Sequence, residues 1–206
     1  MTCNNKDPEQ PHCPCTQNAA PNSFRRNLLK LGLGAGLLQP VLALAARKPK
    51  PEKMRPQLGD HLVFAYGERQ GELIRGDDIA LGAAPIAALP KDTANNILRD
   101  RSRLNQILLL RLPTDELAES MAAYQLDGLV AYSAVCTHTG CTVEGWDSET
   151  RRMICPCHGS EYDATRAATV LLGPAPKPLA MLPLALEAGN LVVSGNFSRK
   201  VGFIKK

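Results

Sequence analysis

Two short cysteine–histidine blocks constrain this chain more than any other feature. They are Cys136-Thr137-His138-Thr139-Gly140-Cys141 and Cys155-Pro156-Cys157-His158-Gly159-Ser160. The first spaces a thiol and an imidazole as Cys-x-His, the second as Cys-x-x-His, and each block carries one further cysteine. Two thiolates and two imidazoles offered by two separate loops are a metal-ligand set, so the fold has to hold the two loops together.

The rest of the chain can supply that scaffold. At 206 residues it is long enough for a real core without help from metal or disulfide. A formal net charge of +4 is modest, and Lys6, Arg25, Arg26 and Lys30 stand against only Asp7 and Glu9 near the N-terminus. The remaining charge is too weak and scattered for a nucleic-acid footprint, so no nucleic-acid partner is expected. The run Arg99-Asp100-Arg101-Ser102-Arg103 reads as a solvated turn rather than a docking patch.

Residues 1–46 read as a targeting segment. Ser23-Phe24-Arg25-Arg26-Asn27-Leu28-Leu29-Lys30 resembles the twin-arginine export motif. The apolar stretch Leu31–Ala46 follows, shorter than the roughly 20 residues a spanning helix wants and interrupted by Gln39 and Pro40. Small residues at Ala43-Leu44-Ala45 offer a cleavage site. A cleaved signal is expected, with a retained anchor over 28–46 as the rival, and a periplasmic location or the periplasmic face of the membrane in either case. Cys3, Cys13 and Cys15 fall in the leader, where His12-Cys13-Pro14-Cys15 lacks a second ligand pair. Residues 47–57 are rich in proline and charge and read as a stiff, solvated linker.

From Leu58 onward the pattern is all-β with loops, and residues 58–206 form the domain. Leu62–Tyr66, Gln106–Leu112, Leu129–Val135 and Leu191–Val193 are apolar runs of strand length. Asp127-Gly128 marks a two-residue hairpin, and Ala188-Gly189-Asn190 marks a second turn. Thr114–Ser120 reads as a short helix with a threonine cap. Residues 67–105 carry no clear pattern beyond loops near Gly76-Asp77-Asp78 and Asp92–Asn96.

Several chemistries can use such blocks. A structural zinc site takes two Cys and two His, but usually draws a cysteine pair from one knuckle. That leaves Cys141 and Cys157 without a role. A catalytic cysteine does not need four closely spaced ligands. A disulfide framework of all four cysteines leaves both histidines unexplained.

Over roughly residues 129–195 the chain resembles the Rieske iron–sulfur proteins, in which two histidines replace two cysteines on one iron of a 2Fe–2S cluster. The resemblance implies an antiparallel β-sandwich with a small cluster-binding subdomain, about 134–178, formed by two loops. It implies that Cys136 and Cys155 bind one iron and His138 and His158 the other. Cys141 and Cys157 match the disulfide that pins the loops in high-potential respiratory members, which requires an oxidising compartment. Ser160 and Tyr162 match positions whose hydroxyls donate to a bridging sulfide and to the sulfur of Cys136, raising the potential. Gly173-Pro174-Ala175-Pro176 matches the proline loop that covers the cluster.

The implied activity is one-electron transfer through the imidazole edges, in a subunit of a larger redox complex rather than in a catalyst of its own. No catalytic residue is assigned. In the oxidised state the imidazoles of such clusters can lose protons, coupling reduction to protonation. No room remains for the mononuclear-iron domain of ring-hydroxylating oxygenases. A quinol–cytochrome c reductase would supply cytochrome b, cytochrome c and quinol as partners, with His158 meeting the quinol. Two departures weigh against that circuit: Thr139 stands where an apolar residue is common, and Tyr162–Gly173 is longer than usual, with Arg166 in place of a glycine. Leu129–Val135 looks instead like the small Rieske subunit of arsenite oxidase, whose partner is a molybdoenzyme. A binding module that has lost its cluster would not keep all four ligands.

Overall fold

The computed structural model describes residues 50–203. The expected export motif, the apolar stretch 31–46, and Cys3, Cys13 and Cys15 lie outside them. Among the described residues no helix is long and apolar enough to cross a membrane.

Among the described residues twelve strands form two antiparallel sheets. The larger contains β1 (His61–Phe64), β2 (Ile86–Asp92), β3 (Ile97–Leu98), β4 (Ile107–Arg111), β5 (Gln125–Leu126), β6 (Leu129–Ser133), β11 (Leu184–Glu187) and β12 (Asn190–Val193). Its order is β11-β12-β1-β2-β4-β6-β5, with β3 paired to β2. Strand β11 also lies beside β5, so the sheet curls nearly closed. The smaller sheet runs β10-β9-β8-β7, from β7 (Gly145–Asp147), β8 (Arg152–Cys155), β9 (Ser160–Asp163) and β10 (Thr169–Leu172).

Strands β4 and β6 explain how the two parts join. Their sequences, Ile-Leu-Leu-Leu and Leu-Val-Ala-Tyr, are continuous apolar runs because both of their faces are buried. Ile107, Leu109, Leu129 and Ala131 face the interior of the curled sheet, with Leu62, Ile74, Leu182 and Leu191. Leu108, Leu110, Val130 and Tyr132 point the other way, onto Met121, Met153, Tyr162 and Leu179 under the smaller sheet. Burying one such aliphatic side chain contributes about 1.5–3 kcal/mol. The Tyr132 hydroxyl, also buried, donates to the carbonyl of Ala164 (2.6 Å) and ties the two layers.

Both expected hairpins are present. Asp127 and Gly128 take φ of 50° and 79° between β5 and β6, the left-handed pair that a tight turn needs. Ala188 and Gly189 do the same between β11 and β12, and Asn190 belongs to the strand. Gly128 has no substitute, because a Cβ there would lie 2.3 Å from the carbonyl oxygen of Leu112.

The expected helix over 114–120 is not one helix. Two 3-10 segments, Thr114–Glu116 and Glu119–Tyr124, are separated by extended backbone, and Pro113 rather than Thr114 stands at the cap position. A stretch this short cannot repay α-helix nucleation. It is set instead by the burial of Met121 and by the bond from Ala118 N–H to the Thr165 carbonyl.

Residues 67–105 hold two strands that pattern reading missed, β2, in which Ala87, Ala88 and Pro90 are poor strand formers, and the two-residue β3 paired with it. The segment 50–57 lies against the domain. Arg99 donates to Asp60 (2.6 and 2.9 Å) and to the Pro51 carbonyl (2.9 Å), and Asn105 donates to the Met54 carbonyl (2.6 Å). Arg99 is 4% exposed, so the reading of 99–103 as a solvated turn fails at its first residue.

Candidate metal centre

The two blocks fold alike. In each, a glycine N–H closes back on the carbonyl of the cysteine four residues earlier: Gly140 on Cys136 and Gly159 on Cys155, both at 3.0 Å. Both glycines have positive φ, 86° and 67°. The first loop leaves the end of β6, and Cys136 N–H bonds back to the Cys141 carbonyl (2.8 Å). The second loop is the connection between β8 and β9, where Cys155 sits opposite Ser160.

These loops face each other. Nδ1 of His138 and Nδ1 of His158 are 3.3 Å apart, with the rings nearly perpendicular at 87°. His158 is exposed and His138 half-buried. The thiols of Cys136 and Cys155 lie side by side and buried, unbridged by any disulfide. Burial pushes the Cys155 thiol above its ordinary range, and the neighbouring Cys136 adds to the effect.

Cys141 and Cys157 form a disulfide across the two loops, with their Cα atoms 6.5 Å apart. The sulfurs of Cys141, Cys155 and Cys157 lie within 4.8 Å of one another, but two of the three are spent on that bond. Cys136, Cys155, His138 and His158 are therefore the available donors. The edge of a tetrahedron with metal–nitrogen bonds of 2.0–2.1 Å is about 3.3–3.4 Å. The two imidazole nitrogens already stand at that separation. The donor set fits a metal centre with mixed sulfur and nitrogen ligation.

Polar bonds lock the surroundings. The Tyr162 hydroxyl is 3.1 Å from the sulfur of Cys136 and accepts from Thr137 N–H (3.2 Å). Burial, then the Cys136 neighbour, pushes the phenol pKa far up. Thr137 in turn donates to the Lys177 carbonyl (2.6 Å). Ser160 is fully buried, and its oxygen accepts from Ala175 N–H (3.2 Å), leaving its own proton free. Gly173, Pro174, Ala175 and Pro176 thus close over the second loop. Gly173 is essential to that approach: a Cβ there would lie 2.6 Å from the Ser160 Cα.

The sequence of residues 108–183 matches the Rieske [2Fe-2S] domain family. A Rieske iron–sulfur subunit of the cytochrome bc1 complex from Streptomyces lividans is 31% identical over 157 residues, which cover 73% of this chain and 90% of that protein. The chain belongs to the Rieske iron–sulfur protein family. A Rieske domain holds a 2Fe–2S cluster, the cofactor the donor set fits.

The bc1 Rieske subunit of Streptomyces coelicolor is 30% identical over 190 residues, 86% of this chain. The chain spans 53% of that relative's length and 26% of the Corynebacterium glutamicum subunit. Among solved structures, a chain of a hyperthermophilic respiratory Complex III is similar at 25% identity and a TM-score of 0.40, covering 58% of this chain and 72% of that one. Sequence reasoning about the Rieske centre missed the strands that carry the second loop. It also missed the bond from Thr137 to the 173–178 segment, for which the sequence holds no signal.

Proposed function

We propose that the protein transfers single electrons through a 2Fe–2S cluster held by Cys136 and Cys155 on one iron and by His138 and His158 on the other. The observation that carries this reading is the convergence of the two Nδ1 atoms at 3.3 Å beside two buried, unpaired thiols. When bound, such a cluster accepts and releases one electron at a potential within about −150 to +300 mV.

The residues around it act on that electron. Tyr162 aims its proton at the Cys136 sulfur, and Ser160 has a free proton inside the site. Both stabilise added negative charge and favour the reduced state. The disulfide holds the loops at fixed separation, and the 173–176 segment packs against Gly159 and Ser160 at the end of the second of them. Electrons enter and leave through the imidazole edges of His138 and His158, the first half-buried and the second exposed.

The parent assembly is a respiratory complex of the quinol–cytochrome c reductase kind, with cytochrome b and a c-type cytochrome as neighbours and quinol as donor. The bc1 relatives support this assignment. Thr139 is exposed beside His138 and can itself hydrogen-bond, so it does not bar quinol docking. The arsenite-oxidase-like reading has no support among these relatives. The twin-arginine pattern and the requirement of the Cys141–Cys157 bond for an oxidising compartment support export to the periplasmic side. Purification of the tagged full chain from solubilised native membranes tests the assembly. Recovery with a cytochrome b is expected; recovery with a molybdenum-containing protein, or from the soluble fraction alone, contradicts it. N-terminal sequencing of the same material reports whether 31–46 is retained.

A further inference from the structure

The charge around the candidate cluster is lopsided. On the side of the second loop, cations are matched: Arg152 pairs with Glu161 (2.8 Å) and Arg166 with Asp163 (3.3 Å). On the side of the first loop they are not. Arg103 is exposed, and its guanidinium stands 2.7 Å from where a Cβ on Gly140 would lie, so it covers the outside of the loop between His138 and Cys141. The ring of Phe203 meets the same glycine position at 3.0 Å.

Three more cations continue the surface. Arg55 donates to the carbonyl of Leu104, next to Arg103 (2.9 Å). Arg55, Arg199 and Lys200 line one recess with Pro56, Asn196 and Phe197. Below them Leu104, Val135, Phe197 and Val201 form a small apolar cluster that fixes these segments together. Arg55, Arg103, Arg199 and Lys200 are all exposed, and none takes part in an ion pair among the described residues.

Unmatched like charges in one strip repel one another, and a partner of opposite charge relieves that repulsion. Such a strip raises association rates through long-range attraction that salt screens over about 8–10 Å. We propose that Arg55, Arg103, Arg199 and Lys200 form the docking surface for a redox protein that presents an acidic face around its own cofactor. The strip ends on the first cluster loop, so a partner seated on it is brought to His138. This inference rests on the electron-transfer reading and names the kind of partner for it.

The test uses the full-length, cluster-loaded protein and two probes that share a haem but differ in charge: cytochrome c with its lysines succinylated, and unmodified basic cytochrome c. Stopped-flow electron exchange with the acidic probe should be fast at low ionic strength and fall as salt rises. The double variant Arg103→Glu, Lys200→Glu should lose about tenfold in rate with the acidic probe only. Its EPR spectrum should stay that of an intact cluster, and Arg103→Lys, Lys200→Arg should retain the rate. Equal rates for the variant and the parent with the acidic probe would overturn the proposal. So would a charge-dependent binding to phosphatidylglycerol vesicles over phosphatidylcholine ones that the variant loses while its exchange rates stay unchanged, since that assigns the strip to a membrane surface. Absence of any cluster signal would instead defeat the underlying electron-transfer reading.

Discussion

The larger and smaller sheets are built on opposite terms. The curled eight-stranded sheet is held by aliphatic burial: Leu62, Ile74, Ile107, Leu109, Leu129, Leu182 and Leu191 form one interior. The four-stranded sheet is thin in such residues, and none of β7 is fully buried. It leans on Met153, Tyr162 and small alanines, and on a disulfide and bonds from Tyr162, Thr137 and Ser160. Apolar burial is non-directional, whereas covalent and hydrogen bonds fix atoms in place. The scaffold therefore tolerates variation, and the loops that must hold ligand atoms in register do not.

The largest expected effect breaks the two regions apart. Cys136→Ser should abolish iron binding while the scaffold stays folded, seen as iron content near zero with a far-ultraviolet CD spectrum retained. Collapse of the whole chain would mean that the cluster holds the scaffold too. Within the scaffold, Arg99→Met should cost about 3–5 kcal/mol, because it strands the buried Asp60 carboxylate without its partner. Chemical denaturation would read that loss, and a change under about 1 kcal/mol would contradict the burial of the pair.

Removing the staple gives a smaller, more local effect. Cys141→Ser with Cys157→Ser should cost about 3 kcal/mol for a sequence separation of 16, through loss of loop-closure constraint. Hydrogen exchange should rise at the two loops and at β8–β9, but not at β1, β2 or β4. Tyr162→Phe removes one donor to sulfur, worth about 1–1.5 kcal/mol. At 59 mV per tenfold for one electron, the midpoint should fall by about 40–65 mV with the cluster intact. Ser160→Ala should lower it in the same direction, and an unchanged midpoint would remove that residue from its role. Smallest is Ala188→Gly, which relieves a left-handed alanine in an exposed turn and should add less than about 1 kcal/mol in denaturation.

The same contrast decides what could be read in advance. Strands β4 and β6 announced themselves because burial on both faces demands unbroken apolar runs, and the hairpin turns because Asp127-Gly128 and Ala188-Gly189 must adopt positive φ. Strand β2 did not, since its alanines and Pro90 are placed by pairing with β1 and β4 rather than by propensity. The 114–120 segment took 3-10 turns because the burial of Met121 outweighed helix preference. In the candidate site the logic inverts. Cys136, His138, Cys155 and His158 stood out from their block spacing together with the resemblance to Rieske proteins, which set them apart from Cys141 and Cys157. Strands β7–β10 did not, since each spans only three or four residues and the apolar run of β10 is largely exposed rather than buried. Arg103 stood in a run of charges that resembles any solvated turn, and only the fold sets it against Gly140.

The central claim is that two thiols and two imidazoles on these loops hold one 2Fe–2S cluster that carries single electrons. An EPR-monitored redox titration of the purified protein, with iron and acid-labile sulfide counted on the same sample, tests it most directly. The account predicts two irons and two sulfides per chain and a Rieske-type signal that appears with a one-electron midpoint inside about −150 to +300 mV. A chain that carries a single zinc, or iron without that signal, would contradict it.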